Sequence, residues 1–267
     1  SGIRGLKRDT ELMILIGFLM FILIIVAGRQ GALTILTVIF NVAVFATGFW
    51  KAGDTSNVLE MCSRLVILFA VITLVGLNGI HKKTWAALFT TLIVLVMIMG
   101  IFDVVIHHAE DLDYSTMEYL GSIENPDEIF HAEILISGLG AIMDAAVAIA
   151  ASLSEIVEKK SEVTFLELFK SGREIGYDIM GTMINVLLFV FGCGLIPMCL
   201  IRMNNDVSLI TIIKLHIPCE LCRFLVESIG IVLAIPISIL VTSVMIKVSG
   251  MFHRQKKARK VQGEGKC

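Results

Sequence analysis

Seven stretches of this chain, roughly 12–28, 32–50, 65–80, 85–106, 134–154, 178–201 and 224–247, are apolar almost without a break. A helix needs about 17–25 such residues to cross the hydrocarbon of a bilayer, and each stretch approaches or exceeds that length. In lipid every backbone N–H and C=O must be satisfied within the fold. No alternation of apolar and polar residues argues for strands. The expected fold class is therefore all-α: a polytopic transmembrane helical bundle of about seven spans, forming one membrane domain over residues 1–267. Composition agrees, with 56% hydrophobic residues and only 17% charged ones, against about 25% charged in soluble domains. With no basic, aromatic-bearing soluble segment, nucleic acid is excluded as a partner. The lipid bilayer is the first partner.

The net charge of −2 conceals segregation. Residues 107–133 contain no Lys or Arg but carry Glu110, Asp111, Asp113, Glu118, Glu124, Asp127 and Glu128. Lys82 and Lys83, then Lys159, Lys160, Lys170 and Arg173, mark two basic loops. The tail 248–267 adds Arg254, Lys256, Lys257, Arg259, Lys260 and Lys266. The positive-inside rule puts the acidic loop outside and the basic loops and C-terminus in the cytoplasm. Seven spans then leave the N-terminus outside, against Arg4, Lys7 and Arg8. An upstream segment, or one span fewer, would remove that conflict. The run from Leu12 to Ala27 is long for a signal sequence and reads as a retained span. Thr164 and Glu167 have the spacing of a capping box. They open a helix over 164–176, with Phe165, Leu168, Phe169 and Gly172 on one side, expected to lie along the cytoplasmic membrane surface.

The fifth stretch holds a carboxylate where hydrocarbon is expected. Ser137, Ala141, Asp144, Ala148, Ala151 and Glu155 recur at steps of four and three, which is one face of a helix. Ile136, Leu139, Ile142, Met143, Ile149 and Leu153 lie largely away from it. Asp144 stands eleven residues from both Glu133 and Glu155, about 16 Å from either at the helical rise. An aspartate there costs about 2.5–3.5 kcal/mol to insert, more than the roughly 0.6 kcal/mol that an interhelical hydrogen bond returns. Function is the better account of it. The sixth stretch offers a matching face of Asp178, Gly181, Thr182 and Asn185. If the two helices are antiparallel neighbours, Asn185 approaches the depth of Asp144. Glu155 then approaches Asp178 and Arg173 at the cytoplasmic mouth. The expected ion or substrate pathway is thus Asp144, Asn185, Thr182, Asp178, Glu155 and Ser137. Gly138, Gly140, Ala141, Ala148, Ala151 and Gly181 are expected to let helices pack closely. Glu227, in the last stretch, reads as lying within a turn of the outer end, as ready to meet water as to function. Pro236 is expected to kink that helix.

The strings "HAEILISGLGAIMDAAVAIAASLSEI", "LFKSGREIGYDIMGTMINVLL", "SIGIVLAIPIS" and "GLNGIHKKTWAALFTTL" resemble the YibE/F family of bacterial multi-spanning membrane proteins. They cover most of the chain from residue 76 onward, in family order. Ile184 and Val186 flank Asn185 where the family pattern usually has a second threonine. The resemblance implies a polytopic protein of the bacterial cytoplasmic membrane, often one of a pair of related proteins. It supplies no activity.

Other readings compete with transport. "GLG" near an aspartate, with Tyr177–Asp178, suggests an intramembrane aspartyl protease, but Met143 rather than glycine precedes Asp144 and the motif order is reversed. "HIPCELC" sets His216, Cys219 and Cys222 at steps of three, a half-site for zinc without a second cysteine pair. His107, His108 and His131 lie among acids that read as a solvated loop. No nucleotide-phosphate loop of the Walker type is present. The expectation is a permease-like protein for ions or small solutes, not an enzyme, with no cofactor and no metal. The alternative is a membrane subunit that scaffolds an envelope complex, a paired homologue or a homo-oligomer.

Overall fold

The computed structural model describes residues 2–52, 58–108, 126–160, 163–215 and 217–264. Seven helices make up its described residues: α1 (Gly2–Ala52), α2 (Val58–Asn78), α3 (Lys82–His108), α4 (Pro126–Lys159), α5 (Phe165–Asn204), α6 (Leu209–Leu215) and α7 (Ile217–Glu264). Six are long and apolar enough to cross a membrane, all but α6. The chain is an all-α helical bundle, as its apolar runs require.

The stretches 12–28 and 32–50 are two helical arms of α1, joined across a kink at Gly28. Within α1 the backbone leaves helical geometry at Gly28, with φ 51° and ψ −122°, a conformation open mainly to glycine. The bend is sharp: a Cβ on Gly31 would overlap the carbonyl of Leu23, eight residues back along the chain. Residues 29–48 then run antiparallel to α2. Gln30 Nε2 donates to the Leu77 carbonyl at 2.8 Å, and Asn41 Nδ2 donates to Thr73 Oγ1 at 2.8 Å. Phe45 stacks on Phe69 farther along.

The helix expected to lie along the membrane surface over 164–176 is instead the start of α5, which continues unbroken to Asn204. The capping box is present: Glu167 N donates to Thr164 Oγ1 at 3.3 Å, and Thr164 N to Glu167 Oε2 at 3.1 Å. Packing explains the continuity. Gly172 and Gly176 present bare backbone to Ile239 and Ile235 of α7; a Cβ at Gly172 would stand 2.7 Å from Ile239 Cγ1, and one at Gly176 would overlap Ile235. This part of α5 is therefore locked into the bundle.

The core is the bundle of α3, α4 and α7, with α2 packed on α4, α5 on α7, and α1 on α2. Val94, Ile98, Ile142, Ala145, Ile231 and Ala234 are buried at its centre. α4 and α7 run parallel, since Glu133, Ser137 and Ala146 meet Arg223, Glu227 and Ser238 in order, and α3 runs antiparallel to both, since Asp103, Ile98 and Lys83 lie by His131, Gly138 and Glu155. Pro236 lies inside α7, which continues as one helix through it. The acidic segment 109–125 and the end of the basic tail, 265–267, lie outside the described residues.

Candidate functional site

The sequence pattern divides α4 into two faces, and the structure turns the bulky one inward. Leu139, Ile142, Ile149 and Leu153 are buried, whereas Ser137, Gly140, Asp144 and Glu155 face outward and Ala141, Ala148 and Ala151 are half-buried. Asp144 makes no hydrogen bond or ion pair among the described residues. On α5, Asp178, Gly181, Thr182 and Asn185 also face outward. Thr182 Oγ1 donates to the Ile179 carbonyl at 2.8 Å, and Asn185 Nδ2 donates to the Gly181 carbonyl at 2.8 Å. Glu155 pairs with Lys159 at 2.7 Å. The structure therefore does not bring Asp144 and Asn185 together, nor Glu155 and Asp178. Among the described residues, Ser137 is the expected pathway residue that hydrogen-bonds a polar group on another helix.

That group is Glu227. Ser137 Oγ donates to Glu227 Oε1 across α4 and α7. The Glu227 residue is only 6% exposed. One turn nearer the start of both helices, Arg223 donates Nη1 to Glu133 of α4 and Nη2 to Glu220 of α7. The cluster thus sets three carboxylates against one guanidinium. Arg223 divides its fork between Glu133 and Glu220, so Glu227 has the Ser137 hydroxyl as its hydrogen-bond partner among the described residues. Farther toward that end, His131 Nε2 meets Asp103 Oδ1 of α3 at 2.8 Å, and the His131 ring sits edge-on to Phe102 with centroids 4.7 Å apart.

Depth follows from the helices. The apolar part of α7 runs from Ile217 to Ile246 and that of α4 from Asp127 to Lys159. At the helical rise, Glu227 and Ser137 lie about 7–9 Å from the respective midpoints, inside a hydrocarbon core about 30 Å thick. A carboxylate so placed is expensive unless it is protonated, paired or hydrated. With a neutral hydroxyl as partner it can accept a proton, or exchange one for a cation. Among the described residues no three His, Cys, Asp or Glu side chains are grouped to hold a metal ion.

A sequence signal for this cluster exists. Glu220, Arg223 and Glu227 follow steps of three and four on one face of α7, and Glu133 and Ser137 are one turn apart on α4. The depth of Glu227 depends on where its helix begins: α7 starts at Ile217, seven residues before the apolar run that starts at 224. Lys82, Lys83, Lys159, Lys160, Lys170 and Arg173 gather at the opposite end, with Lys83 of α3 close enough to Glu155 of α4 to act on its charge.

A family profile described as YibE/F-like protein matches residues 15–248. No curated protein and no solved structure matches the chain.

Proposed function

The chain belongs to the YibE/F-like family, and from that premise we propose that it is a permease-like transporter of ions or small solutes, with Glu227 and Ser137 at its working centre. It is an integral membrane protein, crossing through its long apolar helices. A bacterial cytoplasmic membrane fits the segregation of its basic residues, which would put the Glu133–Arg223–Glu220–Glu227 end outside and the Lys82–Lys83 end inside. The observation that carries the reading is Glu227 itself, a carboxylate buried within the bundle at membrane depth with a neutral partner. Intramembrane carboxylates facing a bundle interior mark ion pathways and proton relays. In this reading Glu227 takes up and releases a proton or cation, Ser137 orients it, and Arg223 holds the neighbouring acids.

Flux of protons and of a panel of cations into liposomes tests it, comparing the natural chain with Glu227→Gln and Asp144→Asn. Flux lost in Glu227→Gln and kept in Asp144→Asn supports the reading. The reverse pattern moves the transporting carboxylate to Asp144.

The outward face of α4 favours a second reading. Asp144 has no hydrogen-bond or ion-pair partner among the described residues and lies on a strip of small residues, a surface on which another helix can approach closely. A subunit that binds a related membrane protein or a second copy through α4 would cover it.

A further inference from the structure

On α2, α3 and α7 the face turned away from the bundle at membrane depth carries large apolar side chains: Ile67 and Leu68, Phe89 and Val96, Ile229 and Val232. α4 and α5 differ. Their outward faces carry Asp144 on α4 and Asp178, Thr182 and Asn185 on α5. Hydrocarbon offers these groups no hydrogen bond, so such groups are covered by protein or meet water.

The two faces match in depth. Lys160 Nζ lies 3.2 Å from Glu167 Oε1, and a Cβ on Gly172 would stand 3.2 Å from Leu153 Cδ2. These contacts make α4 and α5 antiparallel neighbours. Counting on at equal rise sets Glu155 level with Lys170, Ala148 with Tyr177, Asp144 with Gly181, and Gly140 with Asn185. Within one chain the faces do not meet, because the helices touch through the buried Leu153 and Gly172 on their inner sides.

Shape and chemistry match as well. Tyr177 is 56% exposed, a large ring level with the small Ala148, and the Arg173 guanidinium lies 5.9 Å above it. A Cβ on Gly181 would meet nothing within 4 Å, which leaves room for close approach at the level of Asp144. Asn185 gives one N–H to the Gly181 carbonyl and has a second to donate. A carboxylate at Asp144 accepts it, and a protonated carboxyl donates to Asn185 Oδ1. Toward the basic end the charges balance. Lys159 pairs with Glu155 at 2.7 Å, and Lys170 and Arg173 offset Glu174 and Asp178 on the same outward side of α5.

We infer that these faces meet between copies of this chain, with Asp144 of one copy hydrogen-bonded to Asn185 of its neighbour. Copies related by an axis along the membrane normal stay at equal depth, so the levels counted within one chain hold between chains. A second copy supplies the complement of both faces at once, whereas a different protein would need two unrelated complements. The inference rests on the α4 reading above and gives it its occupant. The pair suggested by the sequence then forms between chains.

Crosslinking between two differently tagged copies tests it. One copy carries Ala148→Cys and the other Tyr177→Cys, and both are co-expressed and oxidised in membrane vesicles. A crosslinked species bearing both tags is expected, above the background set by the natural cysteines of two unmodified copies. It is lost when Val96→Cys of α3 replaces Ala148→Cys, and when Asn185→Leu is added to both copies. No such species, one equally strong with Val96→Cys, or one that survives Asn185→Leu overturns the inference. Carbene labelling of residues 140–151 from the lipid phase, mapped by mass spectrometry, then separates this failure from failure of the α4 reading. Labelling in liposomes of the purified chain but not in native membranes means that another protein covers α4, and the second copy alone falls. Labelling in both overturns the α4 reading as well.

Discussion

Replacing Glu227 with glutamine sets stability against activity. Inserting a carboxylate near the centre of a membrane helix costs about 2.5–3.5 kcal/mol. Glu227 is buried about 7 Å from the midpoint of the apolar part of its helix, Ile217–Ile246, so most of that cost applies. Its hydrogen bond from Ser137 returns about 0.6 kcal/mol on average and about 1.7 at most. Arg223 is engaged with Glu133 and Glu220, and its help to Glu227 comes from a turn away. Keeping Glu227 thus costs the fold about 1–3 kcal/mol. Glutamine preserves the volume and the bond from Ser137 while removing the charge. A melting temperature raised by about 2–10 °C is expected, together with loss of flux. Thermal unfolding followed by circular dichroism in nanodiscs, paired with the liposome assay, measures both. A lowered melting temperature with flux retained would refute the reasoning, because it would make Glu227 a structural group whose charge is compensated.

Three further outcomes are expected. Gly176→Ala places a methyl group on Ile235 of α7 and costs about 1–3 kcal/mol through overpacking, whereas Gly181→Ala meets nothing within 4 Å and leaves the melting temperature unchanged or higher; thermal melts of the two variants side by side check this. Arg223→Ala leaves Glu133 and Glu220 unpaired, and since these side chains are 29% and 21% exposed the loss falls below the 3–5 kcal/mol of a fully buried pair, at about 1–3 kcal/mol. Arg223→Lys recovers only part of it, because an ammonium cannot divide between two carboxylates as the guanidinium fork does. If the strip on α4 seats another subunit, Ala148→Leu abolishes association in crosslinking while Asp144→Asn preserves it.

The helices were legible in the sequence because a run of about twenty apolar residues in lipid has one backbone solution. The break in α1 was legible as the interruption of the apolar run at residues 29–31, and the left-handed φ of Gly28 shows how sharply the two helical arms turn there. The two faces of α4 were also legible, as a period. Which face turns inward was not. In water the apolar face is the buried one, but in a membrane both lipid and core accept Leu and Ile. Here Leu139, Ile142, Ile149 and Leu153 form the core and the small face of Asp144 turns outward. The Glu227 cluster was missed for a related reason. The last apolar stretch reads as starting at 224, which sets Glu227 within a turn of the outer end, yet Pro is well accepted in a first helical turn, and α7 already begins at Ile217.

The close-packed layer next to Glu227 constrains how anything could pass. Glu227 and Ser238 are separated by about 16 Å of helix, and Val94, Ile98, Ile142, Ala145, Ile231 and Ala234 fill the interval with almost no exposure. No hydroxyl, carboxylate or water-sized gap is needed to explain their packing, and a proton cannot step across that distance without polar stations. The arrangement is therefore occluded on transport's own terms. Passage would require α7 to shift against α3 and α4, and Gly230 marks a close approach between them, since a Cβ there would stand 2.8 Å from Ile142 Cδ1. A bundle that must repack for each passage moves its cargo one binding event at a time. Flux through the natural protein should accordingly saturate as the concentration of the transported species rises. Flux that grows in proportion to concentration, with no sign of saturation, would mean a continuous open pore and would contradict the close-packed layer between Glu227 and Thr90.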